Sequence, residues 1–181
     1  MSSISQASTV GVRWFPYQKG GSFRKWFGNC EYVVNWLNDG SDVKSNVDEN
    51  GRVRSHNYNG EYSFREGVTW SDVTSGANAF RYMPPGFLFD GRGSAGFSDN
   101  RASLHSSLGL LNSKLSFDCI AAINPTIAVN VGEIGRIPVH PKVEVISNGV
   151  IPLVEQSIAL STEDWNQNEV SWDFQGIHWL T

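Results

Sequence analysis

The 181-residue chain lacks the features that mark membrane spans, secreted disulfide frameworks and targeting segments. No stretch approaches the ~18 uninterrupted apolar residues of a transmembrane helix, so we expect no membrane association. Residues 1–12 have neither a basic start nor an apolar run, and this predicts no secretory signal. Cys30 and Cys119 are the only cysteines, and their spacing indicates no disulfide framework. We therefore expect two free thiols in a reducing cytoplasm.

Several catalytic signatures are also missing. The sequence has no G-x-G-x-x-G after a strand and no phosphate-binding P-loop, since the Gly-rich residues 91–96 lack the P-loop lysine and predict a tight turn. The histidines are scattered without H-E-x-x-H or C-x-x-C pairing, so we expect no metal site. His105, on a predicted helix, is expected to be a surface or hydrogen-bonded residue rather than a catalytic base. A standalone hydrolase is disfavoured because no nucleophile constellation is present. The histidines are His56, His105, His140 and His178.

Charge and aromatic residues are unevenly distributed in a chain of ordinary globular composition. The formal net charge is −4, hydrophobic residues make up 40% and charged residues 18%. Residues 1–101 hold eleven Lys/Arg and ten Asp/Glu, whereas residues 102–181 hold three and eight. Seventeen of the 22 aromatic residues also precede residue 102. Weak overall acidity argues against a non-specific polycation but leaves room for a local basic face.

The order of the secondary-structure signals predicts an α+β fold with a mixed or antiparallel sheet and a C-terminal helical extension. Turn residues fill 38–52, which predicts a loop or hairpin tip. We expect a loose segment at 1–11, an α+β domain at 12–140 and a helical extension at 141–181. A short apolar run lies at 12–20. The predicted strands lie within 31–37, 59–73, 87–90 and 124–139, the last as a broken strand pair.

The clearest helix signal covers residues 101–117, where leucines recur at three- and four-residue spacing and residues 98–100 offer a cap. A second helix is predicted at about 150–160. A third is predicted from Ser161, since Asp164 three residues later forms a capping-box pattern. The leucine stripe expected to be buried consists of Leu104, Leu108, Leu111 and Leu115.

The most distinctive segment is "KGGSFRKWFGN", residues 19–29, in which cations, glycines and aromatics are interleaved. The same mixture recurs in "GRVRSHNYN" (51–59), "YSFREGVTW" (62–70) and "FRYM" (80–83). Cations bind phosphates, arginine reads guanine edges, and aromatics stack on exposed bases. The alternative is that the aromatics, Trp26 and Phe27 among them, are core anchors and that the strand cations only face solvent.

These patterns suggest two sets of candidate DNA contacts, because phosphate contacts position a protein whereas groove-facing side chains give specificity. The candidate phosphate-binding residues are Lys19, Arg24, Lys25, Arg65 and Arg81. The candidate base-reading residues, in a turn-rich segment, are Arg52, Arg54, His56 and Asn57.

Five motifs, at 17–40, 62–97, 108–115, 124–139 and 164–174, occur in an order that resembles the C-terminal target-recognition region of adenine-specific DNA methyltransferases. The resemblance covers about residues 12–175 and is to the PglX type of the BREX phage-defence systems and to related restriction-modification methylases. "LGLLNSKL" (108–115) is similar to a helix common to such recognition domains, including those of Type I specificity subunits. "SWDF" (171–174) resembles the start of a helical segment beyond the recognition domain.

The resemblance implies a non-catalytic module that reads double-stranded DNA. In the family, the S-adenosylmethionine site and the catalytic N-P-P-[YF] loop lie upstream, so we expect neither a cofactor nor catalytic residues here. "NPT" (124–126) lacks the second proline and the aromatic of that loop and predicts a turn. Three origins stay open: a fragment, a truncated gene or a free-standing module. The alternative function is protein docking, and the expected partners are DNA, a methyltransferase domain or another defence-system protein.

Overall fold

The computed structural model describes residues 11–55, 59–73, 77–90, 93–124, 126–140, 143–174 and 176, with the backbone alone for 143–148. These residues form two small sheets and several helices. The strands are β1 (Trp14–Gln18), β2 (Tyr32–Asn35), β3 (Gly67–Trp70), β4 (Phe80–Met83), β5 (Leu88–Phe89) and β6 (Ala95–Gly96). The helices are α1 (Leu37–Lys44), a 3-10 turn (Gly60–Tyr62), α2 (Arg101–Leu111), α3 (Lys114–Ile123), α4 (Val131–Ile134) and α5 (Val143–Trp165).

The predicted α+β class is confirmed, with two three-stranded sheets. The first has the order β2–β1–β5, in which β1 runs antiparallel to β2 and parallel to β5. The second has the order β4–β3–β6 and is antiparallel throughout. β2 holds the consecutive β-branched residues Val33 and Val34, which suit an extended backbone.

The largest hydrophobic core lies between the second sheet and the helices. Val68 and Trp70 alternate along β3 and face the same side of the sheet. The Trp70 indole donates to the Val129 carbonyl oxygen at 2.8 Å, which satisfies its buried N–H. This core comprises Val68, Trp70, Phe80, Leu104, Leu108, Ile120, Val129, Ile137 and Val154.

Two smaller cores complete the packing. One lies against the first sheet and contains Phe15, Trp36, Phe64 and Leu88. The Phe15 and Phe64 rings meet edge to face with centroids 5.3 Å apart, a favourable aromatic geometry. The other contains Cys30, Met83, Phe87 and Trp165, and so joins the end of α5 to the second sheet.

The helix predicted at 101–117 is in fact two helices. Asn100 caps α2 as expected, because its side chain accepts from the amides of Ala102 and Ser103 at 2.8 and 3.2 Å. The helix ends at Leu111, and Ser113 caps α3 by accepting from the Ser116 amide at 3.3 Å.

The break results from the side chain of Asn112, which turns away to pair with the β4 backbone. Its amide oxygen accepts from the Phe80 N–H at 3.2 Å, and its amide nitrogen donates to the Phe80 carbonyl at 2.9 Å. The leucine stripe is consequently interrupted. Leu104 and Leu108 are 2% and 0% exposed, whereas Leu115 is 56% exposed, so the prediction for Leu115 was wrong.

The strand pair predicted at 124–139 was also wrong. Among the described residues of this segment, the one strand-like contact is the bridge between Val73 and Ala128. The chain then forms the short helix α4. The Asn130 amide donates to the Glu133 side chain at 2.6 Å, which satisfies an otherwise unpaired N–H at the helix start.

The two helices predicted near residues 150 and 161 are a single helix, α5. Ser161 lies within it, and its hydroxyl donates to the backbone of residues 25 and 27 instead of capping a new helix. The predicted turn region 38–52 contains a left-handed turn at Asn38–Gly40 inside α1 and then a short hairpin closed by Val47 and Val53. The hairpin tip was therefore anticipated and the helical turn was not.

We expect the two leucines on either side of the helix break to differ sharply on truncation. Leu108→Ala should lower the free energy of unfolding by about 2–5 kcal/mol, since it leaves a cavity in the main core. Leu115→Ala, at an exposed position, should change it by less than about 0.5 kcal/mol. Urea unfolding followed by tryptophan fluorescence measures both. Equal losses of unfolding free energy would show that both leucines are buried in one continuous stripe.

Candidate nucleic-acid interface

The basic segment 19–29 is anchored to the second sheet through its backbone. The Trp26 amide donates to the Phe80 carbonyl at 2.9 Å, and the Tyr82 amide donates to the Trp26 carbonyl at 2.7 Å. Trp26 holds φ at 71°, a left-handed conformation uncommon for a bulky residue. Ser71 adds a second anchor, because its hydroxyl accepts from the Gly21 N–H at 3.0 Å and donates to the Gly21 carbonyl at 2.8 Å.

Arg24 joins this segment to the end of α5. Its Nε donates to the Phe27 carbonyl at 3.0 Å, and its Nη2 forms an ion pair with Asp164. The guanidinium also lies 5.1 Å from the centroid of the Trp165 ring, within cation–π range. Ser161 reinforces the contact, since its hydroxyl lies 3.0 Å from the Phe27 carbonyl oxygen. The side chain predicted to bind phosphate is thus engaged in an internal contact.

Lys25 has a comparable internal partner. Its Nζ donates to the Asn112 carbonyl at 3.0 Å, at the C-terminal end of α2. A cation at this position complements the negative end of the helix dipole. The side chain is partly buried, and one of its N–H groups is therefore used inside the protein.

Arg81 does not lie on the surface at all. It is 0% exposed, and its two terminal nitrogens donate to the Arg24 carbonyl and the Ser71 hydroxyl, each at 3.3 Å. Burial lowers the pKa of the Arg81 guanidinium to about 10, because desolvation disfavours its charged form. Arg81 is therefore removed from the predicted phosphate contacts: its position opposite Thr69 on β4 points it between the sheet and the basic segment.

Lys19 and Arg65 are more accessible. Lys19 is exposed, and its Nζ lies 5.6 Å from the centroid of the Tyr32 ring. Arg65 keeps 32% of its side chain exposed, pairs with Asp99 and lies 5.3 Å from the Tyr62 ring centroid. An ion pair with the almost fully exposed Asp99 is weak and can be exchanged for another anion.

The hairpin around residues 46–55 presents the exposed arginines Arg52 and Arg54. The Asp48 amide donates to the Arg52 carbonyl at 2.8 Å, and the Arg54 amide donates to the Asn46 carbonyl at 2.7 Å. The two arginines flank Val53, whose antiparallel bridge to Val47 closes the hairpin. Their predicted neighbours His56 and Asn57 lie outside the described residues.

The tip of this hairpin is held by an aspartate. Asp48 Oδ1 accepts from the amides of Asn50 and Arg52 at 2.9 and 2.8 Å. Gly51 supplies the positive φ of 76° that the turn requires. The arrangement positions two cations at an exposed, internally hydrogen-bonded tip, a geometry suited to entering a groove of a polyanion.

The described residues offer little for covalent or metal chemistry. No group of three metal-ligating side chains occurs among them, and none of their helices has the length and apolarity to cross a bilayer. Burial raises the pKa of the Cys30 thiol to about 12, which keeps it protonated and a poor nucleophile. Both cysteines are free in the structure.

The sequence patterns missed the residues that hold the basic segment and the α2–α3 turn in place. Asn112 and Ser161 make contacts to β4 and to the basic segment that no local pattern indicates. The patterns also missed a cleft of about 380 Å³ with Phe23 and Phe117 at its edge, because its walls come from distant parts of the chain. The one usable signal was "LLNS", where Asn followed by Ser interrupts a leucine helix with a capping residue.

No family model matches the chain. It is similar to adenine-specific methyltransferases: it is 45% identical over 162 residues to methyltransferase PglX of Lacticaseibacillus casei (strain Zhang). It is 38% identical over 177 residues to methyltransferase BrxX of Escherichia coli O9:H4 (strain HS).

These similarities confirm the resemblance predicted from the motifs. They cover 89% and 95% of this chain but only 13% and 14% of the two relatives. The chain therefore matches one segment of much longer methyltransferases. This match alone does not assign the activity of those whole proteins to the chain.

We expect the contact between Arg24 and α5 to depend on Gly28. A Cβ at Gly28 would lie 2.4 Å from Arg24 Nε and 2.9 Å from the Trp165 ring, at a φ of 125° that side chains rarely adopt. Gly28→Ala should therefore displace Arg24 and speed tryptic cleavage after Arg24 and Lys25. Gly51→Ala is the matched control: its φ is also positive, at 76°, but its Cβ would meet nothing within 4 Å.

The control should cost only the left-handed backbone penalty of about 1–2 kcal/mol. Gly28→Ala should lose at least about 1 kcal/mol more in urea unfolding, since strained backbone and a displaced side chain add together. Identical cleavage rates and stabilities for the two variants would contradict the role assigned to Arg24.

Proposed function

We propose that this chain is a target-recognition module of an adenine-specific DNA methyltransferase, of the kind found in BREX phage defence or restriction-modification. It positions the methyltransferase on specific double-stranded DNA in the cytoplasm. The observation that supports this most strongly is the 45% identity over 89% of the chain to an adenine-specific methyltransferase. A segment of such an enzyme that carries exposed arginines suits contact with its polyanionic substrate.

The exposed hairpin supplies the proposed base-reading residues. Arg52 and Arg54 project from a tip that is fixed by Asp48, so the backbone that carries them needs little ordering on binding. Arginine can form two hydrogen bonds with the O6 and N7 atoms of guanine in the major groove. His56 and Asn57 follow directly in the sequence and stay in the proposed set on sequence grounds alone.

The proposed phosphate contacts are Lys19 and Arg65, both of which have an accessible charged group. Arg24 and Lys25 serve a different purpose in this proposal. Their internal contacts with Asp164 and with the end of α2 hold the segment from which Lys19 projects. In the recognition of paired DNA, they act through the shape of the segment rather than by direct neutralisation of phosphate.

The second candidate function, protein docking, is favoured by a specific feature of α5. Leu153 and Leu160 are 63% and 60% exposed and lie seven residues apart, hence on one side of the helix. Val154, on another side, is buried in the main core. Another part of a longer methyltransferase, or another defence-system subunit, is the proposed partner for these leucines.

We expect two cation variants to weaken DNA binding in different ways. Lys19→Ala should reduce the log–log salt slope of binding by about 0.9, because one phosphate contact releases about one counterion. The loss of affinity should be equal on all sequences, since phosphates carry no base information. Arg54→Ala should cost about 1–3 kcal/mol on the preferred sequence alone. Fluorescence anisotropy at several salt concentrations, with duplexes selected from a randomised pool, measures both effects.

Arg136→Ala serves as the control, because it removes the charge of a different exposed arginine. It should leave both the slope and the sequence preference unchanged. An unchanged slope for Lys19→Ala would remove that residue from the interface. If the parent chain binds no duplex at any salt concentration, DNA recognition by this chain is refuted, and the exposed leucines of α5 become the primary surface to test.

We also propose that the chain has no methyltransferase activity by itself, since the glycine motif and the N-P-P-[YF] loop are absent from its sequence. Incubation with radiolabelled S-adenosylmethionine and mixed duplex DNA should transfer no label to DNA. A full-length relative assayed in parallel is the positive control. Reproducible transfer above a no-protein control would contradict the proposal.

A further inference from the structure

A cleft of about 380 Å³ lies between the basic segment and the junction of α2 and α3. Its volume is in the range of about 300–1,000 Å³ that is typical of small-molecule sites. The lining residues that decide its chemistry are Phe23, Lys25, Phe80, Lys114, Phe117 and Ile120.

The floor of the cleft is apolar and buried. Phe80 and Ile120 are 0% and 2% exposed and belong to the main core, and Leu111 packs against the same core. By contrast, two phenyl rings at the edge face solvent: Phe23 is 58% exposed and Phe117 is 44% exposed. Two exposed aromatic rings around an apolar floor favour a ligand with a flat, apolar face.

Two cations stand at the same edge. Lys25 has one donor used by the Asn112 carbonyl and two left for other acceptors. Lys114 is 85% exposed, and its Nζ lies 2.9 Å from Asp118 on the next turn of α3. A surface ion pair of this kind contributes little stability, so Lys114 can exchange Asp118 for a stronger anion. The ligand favoured by this edge therefore carries a negative charge beside its flat face.

We propose that the cleft binds one unstacked nucleotide of DNA, with its base against Phe23 and Phe117 and its phosphate near Lys25 and Lys114. Every nucleobase offers a π-face, and stacking on aromatic side chains beside a basic groove is how single-stranded nucleic acid is held without sequence preference. The inference rests on the proposed DNA recognition but adds a site that the exposed hairpin does not contain. It gives the chain a preference for DNA that is unpaired or distorted at one position.

The test compares two otherwise identical labelled duplexes, one fully paired and one with a single unpaired adenine. We expect the parent chain to bind the second at least about fivefold more tightly, as expected for one stacked base. With 2-aminopurine as the unpaired base, binding should quench its fluorescence. Phe117→Ala should abolish both the preference and the quenching while leaving affinity for the fully paired duplex unchanged.

Leu115→Ala is the matched control, because Leu115 is as exposed as Phe117 and lies on the same helix but does not line the cleft. It should keep the preference and the quenching. Lys114→Ala should reduce the preference, whereas Phe117→Trp, which retains an aromatic face, should restore it. Since Phe117 is substantially exposed, none of these changes threatens the fold.

The possible outcomes separate this inference from the proposed function. Binding of both duplexes with equal affinity overturns the cleft and leaves duplex recognition standing. Binding of the unpaired duplex alone supports the cleft and contradicts recognition of paired DNA, whereas binding of neither overturns both. A preference that survives in Phe117→Ala also overturns the cleft. The cleft is also overturned if the chain shows no preference for the unpaired base and an acidic, tryptophan-containing peptide displaces the bound DNA.

Discussion

The backbone of Phe80, at the start of β4, is the point on which most of this structure depends. Its carbonyl oxygen accepts from the Trp26 amide and from the Asn112 side chain, each at 2.9 Å, and its N–H donates to Asn112 at 3.2 Å. Phe80 is fully buried, so water cannot replace these partners and their loss would leave unpaired polar groups in the core. One residue of an edge strand thereby fixes the basic segment, the α2–α3 turn and the second sheet relative to one another.

This anchor divides the cations of the chain into two kinds. Arg24, Lys25 and Arg81 face inward and join the basic segment to α5, to the end of α2 and to Ser71. Arg81 donates to two neutral oxygens, and its lowered pKa reflects the desolvation of its charge by burial. Lys19 and the hairpin arginines face outward. The basic surface is therefore smaller and more localised than the sequence suggests, which agrees with the weak net charge of −4.

The same anchor shapes the cleft. Its floor is made by residues that the main core already holds, and its edge by side chains that the fold leaves exposed. The nucleotide site that we propose would need little rearrangement on binding, because the core already holds the residues that support it. The methyltransferase relatives are about seven times longer than the matched segment, and the fold of this segment leaves Leu153 and Leu160 of α5 exposed.

Local sequence was sufficient for those features that local physics decides. The α+β class, the strand at residues 32–35, the Asn100 cap and the hairpin tip follow from residue type and spacing, and the order of five motifs was enough to indicate the methyltransferase relatives. The end of α2 at Leu111, the unbroken course of α5 and the burial of Arg81 were decided by the tertiary structure. In each case a polar side chain forms a hydrogen bond with a residue that is distant in the sequence. Asn112 bonds to the Phe80 backbone and Ser161 to the basic segment. Arg81 bonds to Ser71 and to the backbone of Arg24. Periodicity and capping patterns report only the nearest few residues, so they give no information on such contacts.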